Sequence, residues 1–267
     1  MISIVLVNYN QKDYLAASLH NLKKLQSLSD LEIILVDNHS SDGSLDKINE
    51  TFKDFSNLSI IASNKNLGFA GGVNFGIKSA KGDYILILNP DVIVTDEALT
   101  ILSAFMEDNP ECGICGPQLL NPDHSIQYSC LRWPKWYTPL YRRVLGKMGF
   151  GKKHLYSYLM KDFDHKFSQR ADWLLGAALF VRKSAIDKIG LMDERFFLYF
   201  EDTDWCRRFW QNGFEVWYVA EAKMFHYHQR LSAEYHGLFS AVFSKPAWIH
   251  ILSWIRYFKK WPLTWKR

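Results

Sequence analysis

The first 116 residues alternate between short apolar runs and amphipathic stretches, and this alternation limits the possible fold more than any other feature. Apolar, β-branched runs predict strands, and apolar residues three or four positions apart predict helices. The predicted strands are 2–7, 32–36, 58–62, 83–88 and 112–116. The predicted helices, which lie between them, are 14–28, 44–55, 70–79 and 96–106. Strands connected by helices form a mainly parallel sheet with helices on its faces. The sequence therefore predicts an α/β fold.

Polar residues follow several of these strands at the points where the strands end. They are Asn8, Asn10, Asp37, Asn64, Asn66, Asn89 and Asp91. Ligands of open parallel sheets bind at the carboxyl ends of the strands. We therefore expect these side chains to gather into one binding site at that edge of the sheet.

A glycine-rich segment, residues 66–74, leads into the third predicted helix. Gly71 and Gly72 would let a phosphate or nucleotide approach the backbone at the helix N-terminus. Tight packing of the helix on the sheet would explain the same glycines. The segment matches neither the dinucleotide-binding GxGxxG pattern nor the phosphate-loop pattern that ends in GKS or GKT.

Asp91 follows the strand 83–88 within the sequence Asn89-Pro90-Asp91. A carboxylate at this edge could hold Mg²⁺ or Mn²⁺ and bridge the ion to a diphosphate. The same three residues would also form an ordinary turn before the next helix. His226 could supply a second metal ligand, although a lone imidazole is more often a hydrogen-bonded residue of the core or surface.

Three acids, Glu201, Asp202 and Asp204, open a predicted helix directly after the aromatic segment 196–200. Helix capping and the helix dipole both favour acids at this position. Capping requires only one acid, however. Burial against aromatic side chains raises the pKa of a carboxylate toward the range of a general base. The pattern therefore favours catalysis.

Basic and aromatic residues dominate two parts of the chain. There is no acid between His124 and Met160, and none after Glu234. Such segments suit an anionic membrane face or a phosphate-bearing substrate. No nucleic-acid-binding fingerprint accompanies them, so we expect no nucleic-acid partner.

The C-terminal stretch 246–261 has a helical pattern with two unlike faces. Its apolar face is Ile251, Trp254, Ile255, Phe258 and Trp261. Its polar face is His250, Ser253, Arg256, Lys259 and Lys260. The pattern is typical both of a helix docked on its own domain and of an interfacial membrane helix, and it slightly favours the membrane.

The chain carries no signal for export or membrane insertion. Its N-terminus lacks the basic start and cleavage site of a signal peptide, and its longest apolar run, 173–181, is too short to span a bilayer. Four irregularly spaced cysteines do not form a disulfide framework. We expect a cytoplasmic protein, soluble or in peripheral contact with the inner face of the cell membrane.

The segments described above resemble, in order, the family 2 glycosyltransferases and within them the rhamnosyltransferase-like branch. The matching stretches are 5–10, 36–44, 66–77, 88–92, 176–182 and 190–204. The resemblance implies the A-type glycosyltransferase fold over residues 1–235. Within it, a Rossmann-like nucleotide-sugar half (1–116) precedes an acceptor half (117–235) with a basic insertion (131–170). An amphipathic tail (236–267) would follow.

The resemblance also implies roles for individual residues. The nucleotide and donor contacts would be Asn8, Asn10, Asp37, Asn66, Gly71, Gly72, Asn74, Asn89 and Asp91. Asp91, last of the family's DxD metal motif, and His226 would hold Mg²⁺ or Mn²⁺. Asp202 matches the catalytic base, Glu201 is its close competitor, and Asp204 would contact the acceptor together with Glu201. Asn89 occupies the first DxD position, so one carboxylate fewer faces the metal than is usual for the family.

The activity that the resemblance implies is inverting transfer of a sugar from a nucleotide diphosphate to an acceptor hydroxyl. The expected donor is dTDP-rhamnose, with a UDP-hexose, UDP-N-acetylhexosamine or UDP-galactofuranose as alternatives. The expected acceptor is a growing bacterial surface glycan, either unattached or linked to a polyprenyl diphosphate. Two other functions stay open: a sugar-phosphate nucleotidyltransferase, and a non-catalytic, membrane-tethered protein that binds nucleotide sugars.

Overall fold

The computed structural model describes residues 1–25, 31–142, 149–227 and 245–262. The strands are β1 (Ile2–Asn8), β2 (Leu31–Asp37), β3 (Leu58–Ala62), β4 (Tyr84–Leu88), β5 (Val92–Ile93), β6 (Cys112–Leu120), β7 (Cys130–Leu131), β8 (Gln169–Arg170), β9 (Trp173–Leu174), β10 (Ala178–Arg182) and β11 (Glu215–His226). The helices are α1 (Lys12–Lys24), α2 (Ser44–Thr51), α3 (Gly68–Ser79), α4 (Asp96–Asp108), α5 (Thr138–Leu140), α6 (Gly149–Tyr158), α7 (Lys183–Ile189), α8 (Glu201–Gln211) and α9 (Lys245–Lys260).

One large sheet organises the described part of the chain. Its strand order is β3-β2-β1-β4-β10-β6-β11-β5, with β8 also paired to β11. The first four strands are parallel to one another, β11 is parallel to β6, and β10 runs antiparallel between β4 and β6. The predicted α/β fold with a mainly parallel sheet is therefore confirmed.

The register of the parallel strands brings their carboxyl ends to one edge. Asn8 of β1 pairs with Asp37 of β2, and Leu6 pairs with Leu88 at the end of β4. The segment after β4 therefore begins close to the polar end of β1. This is the edge at which the sequence predicts a binding site.

The sheet is buried on both faces, as its nearly continuous apolar strands require. Ile4 and Leu6 of β1 face a core formed with α1, α2 and α4, whereas Val5 and Val7 face a second core formed with α3, α7 and α8. Successive strand residues alternate between these cores because strand side chains point to opposite faces in turn.

Helix α3 lies unusually close to the sheet. A Cβ atom on Gly72 would lie 2.6 Å from Val7 Cγ1, and one on Gly76 would lie 2.4 Å from Val5 Cγ1. Gly71 instead faces Leu67 of its own helix entry, where a Cβ would lie 2.8 Å from Leu67 Cβ. Close packing of α3 on β1 thus explains why residue 72 is glycine. This is one of the two explanations that the sequence leaves open, the other being phosphate binding.

The C-terminal helix α9 docks on the domain. Tyr257 is fully buried against Phe196 and Phe200, and Ser253 Oγ donates a hydrogen bond to Leu198 O at 2.9 Å. The predicted division of its faces is wrong at Ser253, which is buried, and at Ile255, which is 39% exposed. The face of α9 that docks on the domain makes hydrogen bonds as well as apolar contacts. The spacing of apolar residues in the sequence predicts only the apolar contacts.

The outer surface of α9 remains apolar in part. Trp248, Leu252 and Ile255 are exposed and lie at helical spacing on one side. Membrane contact by this surface stays a prediction. Among the described residues, no helix is long and apolar enough to cross a membrane.

Candidate active site

The ends of β1 and β2 form a polar cluster that orders the loop before α2. Asn8 Nδ2 donates to Asp37 Oδ1 at 2.9 Å and to Ser44 Oγ at 2.8 Å. Asn8 and Asp37 are both buried, whereas Asn10 is exposed and adopts a left-handed backbone with φ 55°. Asn8 and Asp37 therefore hold the loop in place, and Asn10 is the exposed member of this cluster.

The entry to α3 is held by Asn38, a residue that the sequence analysis did not single out. Its Oδ1 accepts from Leu67 N at 2.8 Å, and its Nδ2 donates to Gly68 O and to Asn66 Oδ1 at 3.0 and 3.1 Å. Gly68 has φ 75°, and a Cβ there would lie 2.2 Å from Phe197 O. Only glycine permits this approach between the α3 entry and the aromatic segment before α8.

Asn74 connects the two halves of the domain. Its Nδ2 donates to Met192 O at 2.8 Å and to Glu194 Oε1 at 3.0 Å, and its Oδ1 accepts from Met192 N at 2.9 Å. The side-chain amide of Asn74 is therefore hydrogen-bonded to the segment that leads to the acid cluster. The contact of Asn74 with the nucleotide stays a prediction.

Asp202 is held by three hydrogen-bond donors at the start of α8. Its Oδ2 accepts from Gly176 N at 3.0 Å, and its Oδ1 accepts from Thr203 N at 2.7 Å and Thr203 Oγ1 at 3.2 Å. The two residues before α8, Tyr199 and Phe200, have φ values of 69° and 70°. Left-handed backbone at consecutive bulky residues is costly and is concentrated at functional sites.

The adjacent buried acids Glu201 and Asp202 differ in their hydrogen bonding, and this difference separates their pKa values. Burial raises the pKa of both Glu201 and Asp202. For Asp202, the donors from Gly176 and Thr203 oppose this rise because they stabilise the carboxylate. For Glu201, the charge of Asp202 adds to the effect of burial and raises its pKa further. Asp202 therefore ionises before Glu201 as the pH rises.

The acid cluster and the segment after β4 meet at residues 176–177. Gly176 N donates to Asp202, and the next residue, Ala177, accepts a hydrogen bond from Asn89 N at 2.9 Å. A Cβ on Gly176 would lie 3.4 Å from both Asp202 Oδ2 and Phe69 Cε1. Asn89, two residues before Asp91, thus lies beside the acid cluster, although more than 100 residues separate it from Asp202 in sequence.

Asp91 and His226 face each other across the end of β11. Asp91 Oδ1 lies 3.4 Å from His226 Nε2, and the side chains are 12% and 2% exposed, respectively. Within the described residues, Asp91 Oδ1 accepts no hydrogen bond. A carboxylate oxygen and an imidazole nitrogen in this arrangement fit a divalent cation such as Mn²⁺ or Mg²⁺. No group of three His, Cys, Asp or Glu side chains suited to a metal occurs in the part of the chain described, so a diphosphate and water would supply the remaining ligands.

Gln127 fixes the orientation of His226 and was missed by the sequence analysis. Its Nε2 donates to Asn121 Oδ1 at 2.7 Å and to His226 O at 2.8 Å, so its Oε1 is the acceptor 2.8 Å from His226 Nδ1. Nδ1 therefore carries a proton, and Nε2 is the ring nitrogen that faces Asp91.

Asp204 is bound by structural partners rather than open to a substrate. Its Oδ2 lies 3.1 Å from Arg208 Nε, and its Oδ1 lies 2.8 Å from both Lys260 Nζ and Trp261 Nε1. The side chain is fully buried. These contacts give Asp204 the role of anchoring α9, and they offer no support for its predicted contact with the acceptor.

Comparison with known proteins decides the family. Residues 3–166 match the model described as Glycosyl transferase family 2. The chain belongs to this family.

The relatives of this family 2 glycosyltransferase include several rhamnosyltransferases. It is 27% identical over 239 residues to an N-acetylglucosaminyl-diphospho-decaprenol L-rhamnosyltransferase of Mycobacterium tuberculosis (strain ATCC 25618 / H37Rv), which is 85% of this chain and 76% of the relative. It is 25% identical over 267 residues to rhamnosyltransferase WbbL of Escherichia coli (strain K12), which is 96% of this chain and 92% of the relative. These similarities support the predicted rhamnosyltransferase-like branch.

Solved structures confirm the A-type glycosyltransferase fold. GalNAc-T7 with UDP, GalNAc and Mn²⁺ has a TM-score of 0.69 at 17% identity, over 98% of this chain and 48% of that one. TarS 1–349 of S. aureus in complex with UDP-GlcNAc has a TM-score of 0.60 at 15% identity, over 86% of this chain and 59% of that one. The chain thus spans about half to three fifths of these solved chains.

In this family 2 enzyme, replacing Gln127 with leucine is expected to weaken Mn²⁺ binding by about 10–100-fold, the usual effect of losing a hydrogen-bond partner of a metal-binding histidine. Calorimetric titration of Mn²⁺ in the presence of dTDP measures the effect. Gln127→Glu is the matched control, because it keeps an acceptor for His226 Nδ1 and should bind Mn²⁺ more tightly than the leucine variant. Equal affinity in all three proteins would remove Gln127 from the metal site.

Glu201→Gln is expected to gain stability relative to the wild type as the pH rises from about 4 to 8. The folded protein holds the Glu201 proton to higher pH than the unfolded chain, which releases it above about pH 4.3. A raised folded pKa contributes stability at low pH that is lost as the pH rises toward that pKa. Urea unfolding across this range measures the difference, with the exposed Glu50→Gln as control. A difference independent of pH would contradict the raised pKa of Glu201.

Proposed function

We propose that this protein is a metal-dependent, inverting rhamnosyltransferase. It transfers L-rhamnose from dTDP-rhamnose to a hydroxyl of a polyprenyl-diphosphate-linked glycan, in the synthesis of a bacterial surface polysaccharide at the inner face of the membrane. The observation that carries the proposal is that Asp202 and Asn89 meet through Gly176 and Ala177, with Asp91 two residues along the chain from Asn89. A general base and a candidate metal pair thereby share one edge of the sheet.

The relatives support the choice of sugar and acceptor. The Mycobacterium tuberculosis relative is named for L-rhamnosyl transfer to N-acetylglucosaminyl-diphospho-decaprenol. A Shigella flexneri relative, dTDP-rhamnosyl transferase RfbF, is 26% identical over 226 residues, which is 83% of this chain and 67% of the relative. The names of these two relatives thus support the donor, dTDP-rhamnose, and the acceptor class, a polyprenyl-diphosphate-linked sugar.

Asp202 is the residue that removes the acceptor proton. Its Oδ1 accepts two hydrogen bonds and its Oδ2 accepts one, so Oδ2 has a lone pair available for an acceptor hydroxyl. As Oδ2 takes the proton, the acceptor oxygen bonds to the anomeric carbon and the bond from that carbon to the diphosphate oxygen breaks. Attack on the side opposite the leaving dTDP inverts the anomeric configuration.

Asp91 and His226 would hold the divalent ion, which supplies positive charge to the departing diphosphate when it is bound. Gln127 keeps the imidazole in the tautomer that this role requires. Burial and the charge of Asp202 raise the pKa of Glu201, so Glu201 holds its proton more tightly than Asp202 does.

The direct test is a transfer assay with purified protein and Mn²⁺. The acceptor is N-acetylglucosaminyl-diphospho-polyprenol, and dTDP-rhamnose, UDP-glucose, UDP-N-acetylglucosamine and UDP-galactofuranose are offered separately. We expect the acceptor to gain one deoxyhexose only from dTDP-rhamnose, with an anomeric configuration opposite to that of the donor by NMR. Transfer from a UDP-sugar alone would overturn the donor, and a retained configuration would overturn the mechanism. Binding of dTDP without turnover of any donor would indicate a non-catalytic nucleotide-sugar-binding protein.

A further inference from the structure

A cavity of about 380 Å³ lies between the segment after β7 and helix α6. Its lining residues are Arg132, Trp133, Lys135, Tyr137, Phe150, Lys153, His154, Ser157, Tyr158 and Asp172. It contains none of the residues assigned above to the donor, the metal or the base. Its walls combine cationic and aromatic side chains, a composition that suits an anionic group attached to an apolar chain.

Two of the three permanent cations in this cavity are available to a ligand. Arg132 is paired with Asp162, with 2.8 Å between Nη2 and Oδ2. Lys135 and Lys153 take part in none of the ion pairs found among the described residues. The acid in the lining, Asp172, accepts a hydrogen bond from Trp133 N at 2.7 Å through its Oδ2. The two lysines therefore give the cavity excess positive charge.

The cavity adjoins the catalytic base. Tyr158 belongs to its lining and is close enough to Asp202 for that carboxylate to contribute to the raised pKa of the Tyr158 hydroxyl, whose main cause is burial. Strand β7, which leads into the cavity, pairs with β9, and β9 ends two residues before Gly176, the donor to Asp202. A ligand in the cavity would thus lie within reach of a sugar hydroxyl presented to Asp202.

Exposed apolar side chains lie in the same part of the chain. Phe150, in the lining, is 68% exposed, and Trp136, Leu140 and Tyr156 nearby in sequence are each about half exposed. Exposed aromatic residues grouped beside a charged site are typical of a surface that binds an apolar partner. An isoprenoid chain leaving the cavity could pack against them.

We infer that this cavity binds the diphosphate of the lipid-linked acceptor, with Lys135 and Lys153 as its charged contacts. The inference rests on the proposed function for the identity of the acceptor and adds to it the site that holds the acceptor. The diphosphate lies between the lysines, the sugar extends past Tyr158 toward Asp202, and the isoprenoid chain follows the exposed aromatic residues outward. The lysines select acceptors that carry phosphate.

The test is equilibrium binding of farnesyl diphosphate in a neutral detergent, followed by tryptophan fluorescence. EDTA is present so that no metal at Asp91 and His226 can bind the diphosphate. We expect Lys135→Met/Lys153→Met to weaken binding by about tenfold or more, since each lysine contributes a charge-assisted hydrogen bond. Both lysines are exposed, so these changes should leave the fold intact. Farnesol, which lacks phosphate, should bind the wild type and the double variant equally.

Lys152→Met is the matched control, because Lys152 is the exposed neighbour of Lys153 on α6 but does not line the cavity. It should bind farnesyl diphosphate like the wild type. Equal binding by the wild type and the double variant would overturn the inference, as would equal losses in Lys152→Met. Binding to phosphatidylglycerol vesicles is measured in parallel. If the double variant loses affinity only for the vesicles, the lysines contact bilayer headgroups and the inference is wrong.

This assay needs no donor, so it separates the two proposals. Lysine-dependent binding without rhamnosyl transfer would retain the acceptor site and overturn the proposed function. Rhamnosyl transfer with an unchanged acceptor KM in the double variant would retain the function and overturn the site.

Discussion

Asp202→Asn is expected to lower kcat by about 10²–10⁴-fold, the usual contribution of a positioned general base, while dTDP binding stays close to that of the wild type. Asparagine keeps the size of the side chain and one of its two acceptor oxygens, so it loses either the hydrogen bond from Gly176 N or those from Thr203. The amide cannot take a proton from the acceptor hydroxyl. Steady-state transfer assays and calorimetric titration of dTDP measure the two quantities on the same preparation.

Glu201→Gln is the matched control for this result. Glu201 is buried next to Asp202 and its pKa is raised, which favours its neutral form, so a neutral amide should retain a rate within about tenfold of the wild type. If Asp202→Asn keeps near-normal turnover while Glu201→Gln loses it, the base is Glu201. The assignment that we draw from the hydrogen bonds of Asp202 would then be wrong.

Lys260→Met is expected to destabilise the protein by about 3 kcal/mol, the lower end of the cost of removing one partner from a buried ion pair. Lys260 Nζ lies 2.7 Å from Asp193 Oδ2 and 2.8 Å from Asp204 Oδ1, and Asp204 is fully buried. Arg208 still faces Asp204 in the variant, which limits the loss. At about 2–4 °C per kcal/mol, the melting temperature should fall by about 6–12 °C.

The cost of losing Lys260 should depend on pH. Arg195 and then Lys260 hold the pKa of Asp193 well below its ordinary value. A depressed pKa contributes stability that is present above the unfolded value and is lost as the pH falls through the folded value. The difference between wild type and Lys260→Met should therefore be largest near neutral pH and shrink in acid.

Lys259→Met provides the control for this prediction, because Lys259 is exposed on the same helix. Its melting temperature should stay within a degree or two of the wild type, as for most surface substitutions. An equal melting temperature for Lys260→Met would show that the ion pairs at Asp193 and Asp204 do not hold α9. The helix would then be free for the membrane contact that its amphipathic pattern favours.

The sequence predicts the sheet and the gathering of its polar residues because both follow from local patterns. Asn8, Asp37 and Asn89 lie at strand ends, and the parallel register places such ends at one edge. The approach of Asp202 to that edge follows from the family resemblance. No periodicity connects residues 89 and 202.

The bonds between distant side chains lie beyond what the sequence shows. Asn74 is tied to Met192, Gln127 to His226 and Asp204 to Lys260. Each pair depends on which side chains face each other after the chain has packed, and not on the residues next to them in sequence. For the same reason the sequence suggests Asp204 as a site residue, although in the structure its carboxylate binds Lys260 and Trp261 at the end of α9.

A crystal structure with dTDP and Mn²⁺ tests the central claim, that one nucleotide diphosphate sugar binds between the metal pair and the catalytic base. We expect Mn²⁺ on Asp91 and His226 Nε2 in contact with both phosphates, and Asp202 facing the space next to the terminal phosphate. A diphosphate bound elsewhere, or separated by protein from the Asp202 carboxylate, would contradict the account.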